Sequence, residues 1–477
     1  MDGPLVLEVR YPTEQAVAVA DSISVWGTVG SGQARLRING RPVPVEANGG
    51  FATFLPLPSG DPPVLDLEAS KGGDTLRRAL TITRTRSVVA PTQTPRPAIG
   101  WVRLRRLPDD TLDAPTLARP VYARWTPGGA LALPLPLGAV VPIDRETDGA
   151  VRVRLARGVA PWINRIDTEP TRPPRIVPTP LDGPTLVQDG IRSVIGVNLP
   201  DLLPSTVDVV GNHLRWTLFG AQAGKMRPVE SADGLVRKLV VRDRGDGRVQ
   251  VEVTLAAAPL GWRTTWREGK ATLELRPLRT ARPGLEGLVI ALDPGHPPGG
   301  ATGPTGLTED SVNLAVALET ATRLRALGAR PFLTRSTPDP VSLDARPVLA
   351  EAADAELFVS IHANSPGDGR PPESVAGTRI FWWYPQALPL AKALRDSVAR
   401  ATGQLRMGTV HSDLSVLRST WFPAVLIEVT AIVTPAGEAW LRSPEGISSQ
   451  ADGIIGGIRA WQAGRFVAEG TAVEGRR

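Results

Sequence analysis

The stretch VIALDPGHPPGG, residues 289–300, decides how this chain is read. Val289 to Leu292 form an unbroken apolar run, as a strand covered on both faces requires. Asp293-Pro294-Gly295 ends it, because proline cannot donate to a ladder and glycine opens a turn. His296 therefore stands at a strand exit. In open α/β sheets ligands bind in the crevice beyond the carboxyl ends of the strands, so a metal-capable side chain at that place is a candidate site residue. Only four histidines occur among the 477 residues.

Working outward, Leu314, Ala317, Leu318, Ala321 and Leu324 keep helical spacing until Gly328, and Pro331–Arg335 opens another strand. Leu357–Ile361, Arg379–Trp383 and Ala424–Ile427 read as further strands. Helices are expected near 343–354, 386–401 and 445–461. This alternation predicts an α/β domain over 286–465 with a mainly parallel sheet. Parallel strands bring their C-terminal ends to one edge, so His296, His362 in SIHANS and Glu428 in AVLIEV are expected to converge, with Glu309 joining them from the start of the first helix. Two imidazoles and a carboxylate suit Zn2+, which keeps a fourth position for water in catalytic sites. Glu428 is the candidate for the proton-transferring base. Singly, each residue has an ordinary role: a satisfied histidine, a first-turn carboxylate facing the helix dipole, a solvated charge at a strand end. Their joint arrival at one edge favours a site. Asp293 is expected to brace the turn. His411, in VHSDLSVLR, is a candidate to orient substrate or stabilise an oxyanion, and Arg346 and Asn364 are further substrate-binding candidates. His213 is expected to face a β surface or to find one partner in a core.

The N-terminal two thirds have a different texture. Residues 1–87 alternate in short strands, with Arg35–Ile38 running into Asn39-Gly40, a strong hairpin signal; they resemble a small immunoglobulin-like sandwich. A proline-rich spacer, VVAPTQTPRPAI at 88–99, precedes residues 100–168, which resemble a bacterial SH3-like barrel. A second spacer, EPTRPPRIVPTP at 169–180, leads to a third all-β module over 181–282. The absence of cysteine excludes disulfides and thiolate metal sites. The net charge of +6 is unevenly spread: residues 285–465 hold 15 Lys+Arg against 18 Asp+Glu, which leaves +9 on the rest. Such a basic surface suits acidic polymer, but arginine-rich coding bias is the stronger explanation. No aromatic-interleaved basic stripe indicates nucleic acid. No run approaches the roughly 18 apolar residues of a membrane span.

At this point the motifs ALDPGHPPGG, GLTEDSVNLAVAL, FLTR, LDARPVLAEAADAELFVSIHANS and VLRSTWFPAVLIEV resemble, in order, those of the zinc-dependent N-acetylmuramoyl-L-alanine amidases. The resemblance covers about 287–463. It implies zinc ligands at His296, Glu309 and His362, a catalytic glutamate at Glu428, and cleavage of the amide between the lactyl group of N-acetylmuramic acid and L-alanine of the peptidoglycan stem. It further implies a periplasmic or secreted enzyme whose β modules bind the wall or an envelope protein partner. Three features depart from the family: Pro297-Pro298 in place of a glycine after the first histidine, Ala350-Glu351 in place of Ala-Asn, and Val429-Thr430-Ala431 in place of Gly-Phe. A wall-binding protein that no longer cuts, and a different zinc peptidase on the same scaffold, therefore remain open readings. With about thirty residues between Tyr384 and Val416, mostly filled by one helix, no inhibitory plug helix is expected there.

Overall fold

In the computed structural model the apolar run of residues 289–292 lies inside a six-stranded sheet. The structure describes residues 3–13, 16–18, 20–84, 94–105, 120–277 and 284–474. The sheet comprises β1 (Val289–Pro294), β2 (Arg330–Leu333), β3 (Leu357–Asn364), β4 (Thr378–Trp382), β5 (Arg406–His411) and β6 (Ala424–Ala431), in the order β2-β1-β3-β6-β4-β5. It is parallel except for the β4–β6 pair. The helices are α1 (Glu309–Ala326), α2 (Ala345–Ala352), α3 (Leu388–Thr402), α4 (Pro435–Arg442) and α5 (Pro444–Glu474).

Period-two alternation divides the buried strand residues between two cores. Ile290, Leu292, Val359, Ile361, Val425 and Ile427 pack with Val316 and Ala321 of α1, Leu394 of α3 and Ile458 of α5. Val289, Ala291, Phe358 and Leu426 pack on the other face with Ala350 of α2, Trp421 and Phe422. Each such fully buried side chain contributes roughly 1.5–3 kcal/mol of hydrophobic stabilisation, which makes the sheet a stiff frame for its edge. Gly328, at φ 78°, ends the first helix where expected.

The preceding chain is β-structured. A three-stranded sheet (Glu8–Tyr11, Ser22–Thr28, Gly50–Pro56) faces a four-stranded one (Arg35–Ile38, Arg41–Val43, Val64–Lys71, Asp74–Thr81) across Ile23, Val25, Phe51, Leu65 and Leu67. Asn39 and Gly40 both take positive φ, 50° and 74°, as a tight hairpin turn demands. Next comes a seven-stranded antiparallel sheet between Arg96 and Thr171. Two five-stranded sheets between Thr179 and Arg276 follow and share one core. His213 is exposed at a strand start, opposite Thr254. The last β module is fastened to the α/β domain: Arg276 donates to the carbonyl oxygens of Asp354 and Ala355 at 2.9 and 2.5 Å, and the Arg263 guanidinium lies 4.3 Å from the Trp421 ring centre.

Several expectations need correction. Residues 88–93 of the first spacer lie outside the described residues, but the strand Arg96–Leu104 begins inside its second half. Pro97 is tolerated because the ladder there pairs on one side only, with Arg145. Likewise Thr168–Thr171 and Thr179–Gln188 take up both ends of the second spacer, with Pro170 on an edge strand. Between Tyr384 and Val416 the chain forms α3 and also β5, a short edge strand with Gly408 inside it that carries no clear period. Helix α4 was not expected, and α5 continues well past 461 to Glu474.

Candidate functional site

Beyond β1, the Gly295 amide donates to Ile361 O at 2.9 Å, which draws the loop over the end of β3. Only glycine fits: a Cβ at 295 would run into the His362 ring. His296 follows with φ 57°, and its Nδ1 lies 3.0 Å from Pro298 O. The proton this bond requires on Nδ1 leaves Nε2 with a free lone pair. That Nε2 stands 3.4 Å from Glu309 Oε2.

Glu309 opens α1 and is almost wholly buried. Its Oε2 accepts the Ala301 amide at 3.0 Å, while Oε1 lies 3.0 Å from His362 Nδ1 and 3.3 Å from the Ala363 amide. Burial works against its charge, yet the His362 bond and the nearby imidazoles outweigh it and hold this carboxyl below its ordinary range. Burial opposes protonation of His362 too, but the bond to Glu309 and the charge of Glu428 lift its pKa. The two imidazole rings are 5.0 Å apart at 82°. One ligand atom from each of His296, Glu309 and His362 lies within 4.8 Å of the others.

Glu428 sits beside His362 in register on the neighbouring strand. Its Oε2 is shut off from solvent with no hydrogen-bond partner among the described residues. Burial, reinforced by the Glu309 charge and only partly offset by His362 and Arg379, pushes the carboxyl up to about 8. Arg379 reaches this position because β4 runs antiparallel to β6, opposite Glu428. The sequence reading did not single it out. Residues 365–377 carry no helical period, and a helix-free return favours an antiparallel neighbour; that was the available signal.

The loop 294–297 is held from below by two buried arginines. Arg346 donates to Asp293 Oδ1 at 3.0 Å and to the carbonyls of Pro294, His296, Pro297 and Val341 at 2.7, 3.2, 2.8 and 3.1 Å. Arg335 donates to Pro294 O and Gly295 O, both at 3.0 Å. Asp293 braces the turn as expected, accepting also from Thr334 and Ser360 at 2.5 and 2.6 Å.

Arg346 is therefore corrected from a substrate-binding candidate to an internal brace, its donors spent on the loop. His411 is corrected as well. It ends β5, which runs with β4 and against β6, so it lies at the sheet edge opposite the His–Glu–His group. There it stacks on Trp383 at 4.7 Å and bonds to Trp383 O at 2.9 Å. Asn364, two residues beyond His362 on the same face of β3, stays at the site edge, half-buried. The departing residues Val429, Thr430 and Ala431 are packed in the interior.

Two imidazoles and a carboxylate held in its anionic form, gathered without a thiolate, match the donor set of a catalytic zinc site, and an unpartnered buried carboxylate oxygen beside them marks a place for a further polar group. The fold and the site thus define an α/β domain built around a metal-capable sheet edge. Residues 290–460 match the profile of the N-acetylmuramoyl-L-alanine amidases, and the chain belongs to that family. It is 31% identical over 206 residues to the YqiI protein of Bacillus subtilis, covering 42% of this chain and 97% of that one. It is 36% identical over 155 residues to the N-acetylmuramoyl-L-alanine amidase LytC of the same organism, covering 32% of this chain and only 31% of LytC. The solved catalytic domain of the amidase CwlV from Bacillus (Paenibacillus) polymyxa var. colistinus shares 32% identity over 37% of this chain and 98% of its own, with a TM-score of 0.35.

Proposed function

We propose that the chain is a zinc-dependent peptidoglycan amidase that hydrolyses the bond between the lactyl carbonyl of N-acetylmuramic acid and the nitrogen of L-alanine. The observation that carries this reading is the meeting of His296, Glu309 and His362 within 4.8 Å, beside Glu428, in a domain of the amidase family. These three residues would hold Zn2+. When bound, the ion supplies Lewis-acid polarisation of the scissile carbonyl and an acidified water.

The chain's own groups do the rest. Glu428, which burial pushes toward the protonated form and the charge of a bound cation would return to the carboxylate, accepts the proton of the attacking water and returns it to the departing nitrogen. Water adds to the carbonyl carbon, the C–N bond breaks, and a lactyl carboxylate and a free L-alanine amine result. Arg346 and Arg335 fix the backbone that aims His296, so imidazole orientation costs little at each turnover. Asn364, at the same edge, would meet the glycan or the stem peptide.

The modules before the catalytic domain, over 1–87, 100–168 and 181–282, are an immunoglobulin-like sandwich, an SH3-like barrel and a further β module, and they hold the enzyme on peptidoglycan or an envelope partner. A substrate in the wall implies an enzyme of the periplasm or the cell exterior. Among the described residues no helix is long and apolar enough to cross a membrane.

The test is digestion of purified sacculi by the zinc-loaded protein, with new L-alanine amino termini counted against a Glu428→Gln control. Their release by the wild type alone is expected. Silence from the metal-replete wild type would refute cleavage and favour the wall-binding reading.

A further inference from the structure

Strand Ser22–Thr28 of the N-terminal sandwich alternates two sets of side chains. Ile23 and Val25 point into the sandwich core. Ser24 and Trp26 point the other way, yet they are only 4% and 6% exposed. A strand of a small sandwich buried on both faces has its outer face covered by something else. Here the cover is the catalytic domain: Trp26 is part of the core that includes Leu292, Val316 and Ile361.

The contacts fall on the two loops that adjoin the metal-capable residues. The Trp26 indole N–H donates to Thr302 O at 3.0 Å. Thr302 pairs with Thr308, the residue before Glu309, and its neighbour Ala301 holds Glu309 Oε2 through the 3.0 Å amide bond. The far end of this loop is fixed by Glu438, which accepts the Thr305 and Leu307 amides at 2.8 Å each. The Ser24 hydroxyl donates to Arg370 O at 2.6 Å, on the loop that follows β3 and His362. Tyr11 stacks on Trp26 at 4.5 Å, keeping the indole in place.

We infer that the Ser24–Trp26 face of the N-terminal module is a working part of the metal site, with Trp26 a positioning residue for Glu309 acting through Thr302 and Ala301. This rests on the zinc reading proposed above. A ligand carboxylate needs partners that fix its orientation, and the loss of such partners commonly costs 10- to 100-fold in metal affinity. Trp26 acts one residue further away, so a smaller loss follows.

The experiment measures zinc affinity of the full chain by chelator competition. Trp26→Phe keeps the aromatic bulk and the Tyr11 stack but removes the N–H; zinc binding about 5- to 10-fold weaker is expected. Leu65→Ala, in the core of the same module and away from this face, loosens the module generally and is expected to leave affinity at the wild-type value. Near-wild-type affinity for Trp26→Phe would overturn the inference, as would equal losses in both variants. Should Trp26→Phe fail to fold, Ser24→Ala gives the readout, with binding about 2- to 3-fold weaker expected and wild-type affinity the refutation. A wild-type chain that takes up no zinc would overturn the proposed function itself, which separates the two failures.

Discussion

The unpartnered carboxyl of Glu428 makes a prediction about stability that is independent of activity. In the zinc-free protein its pKa stands at about 8, against an ordinary 4.5, chiefly through burial. The fold therefore prefers the protonated form. The stabilisation that this provides is complete below pH 4.5, drains away as pH rises toward 8, and is absent above it. The gap between 4.5 and about 8 corresponds to about 5 kcal/mol at most. Partial solvent contact and the shared electrostatics of His362 and Glu309 reduce this to about 2–3 kcal/mol. Glu428→Gln keeps the shape and removes the charge. Calorimetry of the chelator-treated protein, following the transition of the catalytic domain, should show the Gln variant more stable at pH 9 by that amount, or roughly 5–10 °C. At pH 5 the two proteins should differ little. A stability difference that stays the same from pH 5 to pH 9 would refute the reasoning. The same substitution should abolish hydrolysis in the sacculus digest, so that stability is gained where function is lost.

Arg346→Met strands Asp293 as an unpaired buried charge and should destabilise the catalytic domain by about 3–5 kcal/mol in urea unfolding; Asp293→Asn in the same chain should recover part of that loss. Gly295→Ala puts a methyl group into the His362 ring and should lower zinc affinity at least about 10-fold with no change of charge, read by chelator competition. His411→Ala, at the opposite edge of the sheet, should leave kcat/KM on sacculi within about 2-fold of wild type; a hundredfold loss would restore it to the site.

The site was legible in the sequence to the extent that chain geometry is local. A proline-glycine stop after an apolar run placed His296, a first-turn acid placed Glu309, and two strand ends placed His362 and Glu428. Composition does not tell a parallel strand from an antiparallel one, so nothing local sets Arg379 opposite Glu428. His411 ends a short edge strand without a clear period, so the sequence carries no sign that it lies at the opposite edge. Arg346 looked available because a single sequence does not reveal which carbonyls converge on a guanidinium; four such carbonyls come from two separate segments. The prolines at 97 and 170 suggested spacers because proline weakens a ladder, yet one-sided pairing leaves room for it. The contact of Trp26 with Thr302, across 276 positions, has no local signal beyond a large aromatic on the polar phase of an alternating strand.

The central claim is that one zinc ion is held by His296, Glu309 and His362 with Glu428 alongside. Crystals of the zinc-loaded chain, recorded at the zinc absorption edge, test it directly. The account predicts one anomalous peak per chain, about 2.0–2.2 Å from a nitrogen of each imidazole and a Glu309 oxygen. A peak elsewhere, or those three side chains too far apart to share one ion, would contradict it.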